Sequence, residues 1–396
     1  MVSTPSLTDL ELHGRRVLVR VDYNVPLDEA GRITDDTRIR ASLPTLRHIL
    51  DRGGRAILMT HLGRPKGVTE NLRLKPVADR LSVLLGRPVG YVREAVGPVA
   101  VRATDALEDG ECLLLENVRF NDGETRNDPE FAQGLAALGD VYVNDAFGTA
   151  HRAHASTEGV ARLLSVRAAG FLMIKELDYL SGAIKNPQGK LVVVLGGAKV
   201  SDKIGATRRF IEIADALIIG GGMAYTFLAS RGEAVGKSLL EEDRVGFADE
   251  ILERASVLGS PLQLPKDHVV AESLDPDAEA RQVDQIPDGL LGLDIGPKTR
   301  KRFAEVICGA GTILWNGPMG VFEMAAFAAG TREVAHAIAD ATGRGAISII
   351  GGGDTAAAVN ALGLAGRVSH VSTGGGASLE LLEGKALPGV SVLVEN

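Results

Sequence analysis

The stretch LVVVLGGAKVSDKIG, residues 191–205, joins an unbroken apolar run to a glycine-rich turn and then to the start of a helical pattern. A strand that helices cover on both faces of a parallel sheet has this continuous apolar character. Glycine between such a strand and a helix leaves the backbone amides of the helix start open to an anion. The stretch therefore predicts one strand–turn–helix unit of a parallel α/β sheet.

The same alternation of short apolar runs and helical patterns extends over the whole chain. One helix is predicted to open at the capping residue Asp128, with Pro129 at its first position. The predicted strands are 17–21, 56–60, 112–115, 141–144, 191–195, 216–219, 312–315, 346–350 and 369–372. The fold class that follows is α/β, with two doubly wound, parallel-sheet (Rossmann-like) domains.

A chain of 396 residues is long enough for two or three domains of about 150 residues each. The pattern FLMIKELDYLSGAIKN, residues 171–186, predicts a helix that ends before Pro187, and one continuous helix between two domains would form a stiff hinge. A surface helix of one domain has the same periodicity and is the alternative. We predict a first domain over 1–170, a hinge helix over 171–186 and a second domain from residue 187.

The composition, 24% charged and 45% hydrophobic residues, is that of a folded globular protein. The formal net charge of −8 argues against binding of nucleic acid or of an anionic membrane. The two cysteines, Cys112 and Cys308, form no CxxC pair, which favours a reducing compartment. Neither an export signal nor a membrane-spanning run is recognisable, so we expect a cytoplasmic protein.

Ligands of open α/β sheets bind at the carboxyl ends of the strands. In the first half of the chain these ends are followed by basic side chains whose geometry suits carboxylate and phosphate. The candidates are Arg38, His61, Arg64, Arg119 and Arg152. Surface arginines paired with acidic residues are the alternative for each one, but their recurrence at equivalent positions favours a site for one small polyanion.

Glycine accounts for 48 of the 396 residues, about 12% against a usual share of about 7%. Glycine runs follow the second-half strands, beginning at Gly196, Gly220, Gly351 and Gly374. Any single glycine serves equally well to turn the chain or to let a helix pack closely. Repeated runs at helix starts predict a ligand, such as phosphate, that approaches the backbone.

Three charged side chains accompany these glycines. Lys199 and Lys203 would share one face if the helix already ran from Lys199, which would favour a bound anion, and a salt bridge to Asp202 is the alternative. Asp354 ends a glycine run, where aspartate ordinarily caps a helix. Beside phosphates the same carboxylate would suit Mg²⁺.

Several other motifs are absent. GEAVGKS, residues 232–238, is one residue short of the Walker A spacing, and in GGGMAY the third glycine of GxGxxG is replaced by Tyr225. His151 and His154 have the spacing of metal ligands, but no third ligand lies near them in sequence, which argues against zinc.

A site for a small acid and a site for a nucleotide together indicate phosphoryl transfer, which needs mainly positioning and positive charge. Two domains holding one substrate each would have to close and exclude water. The alternatives are an NAD-dependent dehydrogenase, which the missing GxGxxG disfavours, and a nucleotide-binding scaffold without catalysis. The scaffold is disfavoured because Arg38, Lys203 and Asp354 are all present.

Six motifs, in this order, resemble those of the phosphoglycerate kinase family over essentially the full chain: RVDYNVP (20–26), THLGRP (60–65), FGTAHRAH (147–154), LGGAKVSDKI (195–204), WNGPMGVFE (315–323) and GGGDT (351–355). The resemblance implies a glycolytic phosphotransferase with a carboxyl group as acceptor. It would transfer phosphate reversibly between 1,3-bisphosphoglycerate and MgADP, giving 3-phosphoglycerate and MgATP, by direct in-line transfer.

The resemblance also implies roles for individual residues. The phosphoglycerate would be bound by Asp22, Asn24, Arg38, His61, Arg64, Arg119 and Arg152. The nucleotide would be bound by Gly197, Lys203, Gly221, Gly222, Gly292, Glu323, Gly352, Gly353, Asp354 and Thr355, with Asp354 as the metal ligand. The catalytic groups would be Arg38, Lys199, Lys203 and the amide of Gly375.

By the same resemblance Mg²⁺ is the cofactor, the partners are the two small-molecule substrates, and we expect a monomer that bends at its hinge. Residues 187–380 would form the nucleotide domain, and 381–396 would pack back on the first domain. Thr60 stands where many members have serine and keeps the hydroxyl. The chain is short for the family, so some surface loops are expected to be trimmed.

Overall fold

The structure, a computed structural model, describes residues 4–394, and these form two compact units. The first unit comprises residues 4–178 and 386–394, and the second comprises Tyr179–Lys385. The division between them falls inside one helix, Phe171–Lys185, which occupies the position of the predicted hinge helix.

The first unit contains the strands Arg16–Arg20 (β1), Arg55–Met59 (β2), Val89–Tyr91 (β3), Cys112–Leu114 (β4), Val141–Asn144 (β5) and Arg167–Ala169 (β6). Within the described residues they form one parallel sheet in the order β3-β4-β2-β1-β5-β6. The chain adds strands on one side of β1 and then, from β5, on the other. The point at which the strand order reverses therefore lies between β1 and β5, where open α/β sheets bind ligands.

The helices that accompany this sheet are Thr37–Asp51 (α1), Lys75–Leu85 (α2), Pro98–Asp105 (α3), Pro129–Ala136 (α4), Val160–Leu163 (α5) and Phe171–Lys185 (α6). The predicted start of α4 is confirmed, because Asp128 Oδ1 accepts a hydrogen bond of 3.0 Å from the Phe131 amide and Pro129 is the first helical residue. Its side chain satisfies one of the amides that every helix start leaves without a partner.

The second unit contains Leu191–Leu195 (β7), Ala216–Ile219 (β8), Leu262–Gln263 (β9), His268–Ala271 (β10), Arg281–Val283 (β11), Leu291–Ile295 (β12), Thr312–Asn316 (β13), Ile347–Gly351 (β14) and His370–Val371 (β15). Its main sheet is parallel, in the order β15-β14-β13-β7-β8-β9, so its reversal point lies between β7 and β13. All five residues of β7 are buried, as its apolar run predicts. The predicted fold class, with two doubly wound parallel sheets, is confirmed.

The second unit also carries a smaller antiparallel sheet, β11-β10-β12, that the sequence pattern did not predict. Its helices are Ile204–Ile213 (α7), Met223–Ser230 (α8), Val245–Leu258 (α9), Pro297–Cys308 (α10), Ala329–Gly343 (α11), Gly353–Ala361 (α12) and Gly376–Leu382 (α13). Each predicted glycine run lies between a strand and a helix of this unit.

The last helix, Pro388–Val394 (α14), belongs to the first unit. Its Gly389 amide donates to the Ala150 carbonyl over 2.9 Å, and the Gly389 carbonyl accepts from Asn144 Nδ2 over 2.8 Å. The segment is thus held against the loop that follows β5.

Candidate active site

Three predicted site residues meet at the end of β1 in the first unit. Asp22 lies just beyond β1, and its carboxylate accepts a hydrogen bond from the Arg38 guanidinium of α1. His61, beyond β2, places Nδ1 at 3.9 Å from Asp22 Oδ1. Parallel strands bring their carboxyl ends to one edge, so residues that are distant in sequence converge there.

The loop after β2 is tied to its neighbours on both sides. Asn24 Oδ1 accepts from the Gly63 amide over 2.8 Å, and Arg119 Nη1 donates to the Gly63 carbonyl over 2.7 Å. The loops that carry Asn24, His61 and Arg119 are therefore fixed relative to one another.

Three of the predicted arginines line one cavity of about 470 Å³. The residues around it are Arg64, Pro65, Arg119, Asn121, Asp122, Thr125, Arg152 and His154. Arg119 is 9% exposed, and its Nε is buried with no hydrogen-bond partner in the described structure. A buried guanidinium nitrogen without a partner is costly unless a ligand supplies an acceptor. The cavity therefore suits a small polyanion.

Burial and the crowding of positive charge shift the pKa values of groups at and near this cavity. Burial, reinforced by Arg152 and Arg20, lowers the pKa of Arg119 to about 10. Burial, together with the nearby arginines and above all Arg119, lowers the pKa of His154 to about 4, and burial holds the pKa of His61 well below its usual value. Both imidazoles are therefore neutral at pH 7, and the arginines carry the positive charge of the site.

Sequence reasoning missed a buried network behind the cavity. Arg20, 1% exposed at the end of β1, donates from Nε to Ser156 Oγ over 2.8 Å and lies 3.1 Å from His61 Nδ1. Ser156 Oγ in turn donates over 2.6 Å to Glu124, which is fully buried. The available signal was Arg20 itself, a charged residue that directly follows the apolar run 17–19.

In the second unit the glycine loops after β7 and β13 lie side by side at the reversal point. The Gly196 amide donates to Asn316 O over 3.0 Å, and the Gly197 amide donates to Pro318 O over 2.8 Å. A Cβ on Gly221, which follows β8, would lie 2.7 Å from the Gly197 nitrogen. Gly196 and Gly221 therefore allow the backbone segments to pack closely, which is the structural role given above as the alternative to ligand binding.

Lys203 lies beside this packed backbone. A Cβ on Gly197 would stand 3.1 Å from Lys203 Nζ, so the ammonium group is close to the glycine turn. Burial lowers the pKa of Lys203, while the carboxylates of Asp202 and Asp354 oppose that shift. A half-buried ammonium group suits a phosphate group.

The condition under which Lys199 and Lys203 would share one helical face, a helix that already runs from Lys199, is not met. Helix α7 begins at Ile204, a short 3-10 turn covers Ser201–Lys203, and Lys199 lies exposed in the loop before it. Gly197 has a φ of +91°, so the chain is not helical at the turn that precedes Lys199. No ion pair joins Asp202 to either lysine in residues 4–394, so that alternative is also wrong.

Asp354 occupies the second position of α12, after Gly352 and Gly353. It is exposed and is the acidic residue of the first helical turn, whereas the N-cap position is taken by Gly352, which has no side chain to cap the helix. Thr355 is buried and accepts from the Gly317 amide over 2.7 Å, which joins the loops after β13 and β14. Gly353 and Gly375, the latter preceding α13, have open space where a Cβ would stand.

The remaining predicted nucleotide residues lie at three places in the second unit. Gly292 donates its amide to Ser238 Oγ over 2.9 Å, and a Cβ there would stand 2.2 Å from the Tyr225 hydroxyl. Glu323 is exposed in the loop whose Val321 amide donates to Leu293 over 2.9 Å. Gly222 opens α8, where a Cβ would stand 2.8 Å from Ala198 O.

The two units thus define a phosphotransferase class of α/β protein, with an arginine-lined cavity in one unit and open helix starts beside a half-buried lysine in the other. Residues 7–385 match the profile of the family described as phosphoglycerate kinase, and the chain belongs to that family.

Its relatives agree with this assignment. The chain is 58% identical over 393 residues to a phosphoglycerate kinase of Moorella thermoacetica, covering 98% of this chain and 99% of that protein. It is 55% identical over 395 residues to a cytosolic phosphoglycerate kinase of Triticum aestivum, covering 99% and 98%. The solved structure of phosphoglycerate kinase from Coxiella burnetii is similar, with a TM-score of 0.89, 43% identity and 99% coverage of both chains.

The enzyme class that was predicted, a phosphotransferase of the phosphoglycerate kinase type, is confirmed. These comparisons favour neither the dehydrogenase nor the scaffold without catalysis. None of the helices between residues 4 and 394 has the length and apolar character of a membrane span.

Proposed function

We propose that the first unit binds the phosphoglycerate through the cavity around Arg119, and that the second unit binds the nucleotide. The observation that carries this proposal is the convergence of three arginine side chains, Arg64, Arg119 and Arg152, on one cavity. Their guanidinium groups would donate hydrogen bonds to the anionic oxygens of the acid. Asp22, Asn24 and His61 then orient the arginine-bearing loops and the acid.

Arg38 is the group proposed to reach the transferring phosphoryl. Its side chain remains 35% exposed while one of its nitrogens is held by Asp22. A guanidinium has five N–H groups, so donors are left for phosphate oxygens. Charge spreads over these oxygens in the transition state, and a positioned arginine stabilises that charge.

In the second unit Lys203 would contact the nucleotide phosphates and the transferring group. Lys199 would support Lys203 from its exposed loop. The backbone amides at Gly353 and Gly375 would donate hydrogen bonds to phosphate oxygens, because no heavy atom within 4 Å occupies the space beside these glycines. Gly197, Gly221, Gly222, Gly292, Glu323, Gly352 and Thr355 would form the rest of the nucleotide site.

A magnesium ion fits the residues present. In residues 4–394 no group of three or more His, Cys, Asp or Glu side chains could hold a metal ion by itself. Mg²⁺ is commonly held by one or two carboxylates together with substrate phosphates. The exposed carboxylate of Asp354, in the first turn of α12, would supply one. The ion would supply positive charge to the phosphate oxygens. The proposal also includes closure of the two units on both substrates and a monomeric state. It further includes a cytosolic location, which is the location named for the Triticum aestivum relative.

A coupled assay with 3-phosphoglycerate and MgATP tests the proposal. Arg119→Ala is expected to raise KM for 3-phosphoglycerate by about 10-fold or more, with KM for MgATP unchanged, because one charge-assisted contact is lost. Asp354→Ala is expected to raise the Mg²⁺ and ATP concentrations needed for half-maximal rate.

Asp340→Ala is the matched control for the second variant, because Asp340 pairs only with a surface arginine, Arg367, in the same unit. Equal KM values for 3-phosphoglycerate in Arg119→Ala and the parent protein would remove the cavity from the mechanism.

A further inference from the structure

Asn117 lies three residues beyond the end of β4, and its side chain is fully buried. All the hydrogen-bonding groups of its amide are paired. Its Oδ1 accepts from the backbone amides of Leu62, over 3.3 Å, and Arg119, over 3.1 Å. Its Nδ2 donates to the carbonyls of Leu62, over 2.9 Å, and Leu72, over 3.1 Å. An asparagine amide offers two acceptor lone pairs and two N–H groups, so no capacity remains.

The segments that Asn117 joins carry the anion-binding side chains. Leu62 lies between His61 and Gly63 in the HLGRP loop, which continues to Arg64. Two further contacts join the same segments, since the Val118 amide donates to Thr60 over 3.2 Å and Arg119 Nη1 donates to Gly63 over 2.7 Å. Four of the hydrogen bonds that hold these segments together are therefore made by the Asn117 side chain, and two others join the segments directly.

The backbone of Asn117 is itself held by a buried carboxylate. Glu116, 3% exposed, accepts from the Asn117 amide over 2.9 Å. Its oxygens also accept from Arg73 over 2.7 Å and from the Tyr91 hydroxyl over 2.6 Å. The backbone at Asn117 is thus anchored to Arg73 and Tyr91 through Glu116.

We propose that Asn117 is a positioning residue that sets the distance between Arg64 and Arg119 and thereby the affinity for the phosphoglycerate. It has no exposed atom, so it acts through the arginines and touches no substrate. Aspartate cannot replace it when ionised, because its oxygens would face the carbonyls of Leu62 and Leu72. The inference rests on the proposed function of the cavity, and it adds a residue to which no substrate role was assigned.

The test is a double-mutant cycle of Asn117→Ala with Arg119→Ala, read out as KM for 3-phosphoglycerate and KM for MgATP. Asn117→Ala alone is expected to raise KM for 3-phosphoglycerate by about 10- to 100-fold, because displacement of a binding group by about 1 Å has effects of that size. KM for MgATP is expected to stay unchanged. In the Arg119→Ala background the same change is expected to have a much smaller effect, because residues that act through one another are not additive.

Leu81→Ala is the control for lost stability, because Leu81 is a fully buried core residue of α2 in the same unit. It is expected to lower Tm while leaving both KM values unchanged. If Asn117→Ala does not fold, Asn117→Ser keeps one hydroxyl acceptor for the Leu62 or Arg119 amide and serves in the same cycle.

The outcomes separate the two proposals. A normal KM in Arg119→Ala contradicts the proposed function itself. A raised KM in Arg119→Ala with fully additive effects of the asparagine change, or with equal increases in both KM values, contradicts only the positioning role of Asn117.

Discussion

The guanidinium of Arg38 is hydrogen-bonded to the carboxylate of Asp22, and the same carboxylate lies 3.9 Å from His61 Nδ1. Asp22 is only 9% exposed, whereas Arg38 is 35% exposed, so the pair presents its positive member to solvent. The carboxylate holds the arginine in one orientation before any substrate arrives. Orientation in advance is what electrostatic stabilisation of a transition state requires.

The first prediction concerns Arg38. Arg38→Ala is expected to lower kcat by about 10²- to 10⁴-fold, because an arginine that stabilises the transferring group contributes on that scale. Steady-state kinetics with saturating 3-phosphoglycerate and MgATP measures the change. Arg40→Ala is the control, since Arg40 lies on the same helix and pairs with Asp36 at the surface. Near-normal turnover in Arg38→Ala would exclude this arginine from the transfer step.

The second prediction separates two uses of glycine. Gly196→Ala would place a methyl group 2.2 Å from Pro318 O, so it is expected to destabilise the protein by about 1–3 kcal/mol. Gly353→Ala meets no heavy atom within 4 Å and lies in a helix, so stability is expected to stay equal or to rise.

The second part of this prediction concerns the KM for MgATP of Gly353→Ala. The methyl group of Gly353→Ala would stand where a phosphate approaches the backbone, so KM for MgATP is expected to rise by about 10-fold or more. Thermal unfolding and KM are measured on both variants. An unchanged KM for MgATP in Gly353→Ala would mean that its open space serves no ligand.

The central strands were predictable because consecutive apolar residues that recur in this way fit only a strand buried on both faces. The bounds of β5, β7 and β8 are confirmed residue for residue. The edge strand β15 is shorter than predicted, because only His370 and Val371 pair with β14. The sheet β11-β10-β12 was missed because its strands follow one another with charged residues between them and resemble a loop.

The sequence predicts those site residues that lie just beyond the carboxyl ends of strands. His61 and Arg119 come from that rule, and the structure brings their loops together. Arg20 and Ser156 could not be paired in advance, because they lie 136 residues apart and meet only through packing. The helical placement of Lys199 failed because the local backbone follows glycine rather than the spacing of the lysines.

The third prediction concerns the cap of α4. Asp128→Ala is expected to lower the free energy of unfolding by about 1 kcal/mol, because the Phe131 amide loses its acceptor. Denaturant unfolding, followed by a probe in the first unit, measures the change. Asp128→Asn keeps an acceptor and serves as the control, with an expected loss of only a few tenths of a kcal/mol. Equal losses in the two variants would contradict the capping role.

The last prediction is a pH dependence that arises from His154. Burial and the nearby arginines lower its pKa to about 4, below the usual value of 6.5. Between these values the unfolded chain binds the proton and the folded chain does not, so stability falls as the pH is lowered. The resulting loss of folding stability is on the order of 3 kcal/mol at pH 4.

His154→Gln does not titrate, so the parent protein is expected to lose more stability than the variant between pH 7 and pH 4. Hydrogen exchange of the Val19 and Val143 amides in the first unit measures this difference, and His336→Gln, in the second unit, is the control. Parallel pH profiles for the parent protein and His154→Gln would show that the imidazole titrates alike in the folded and unfolded chain.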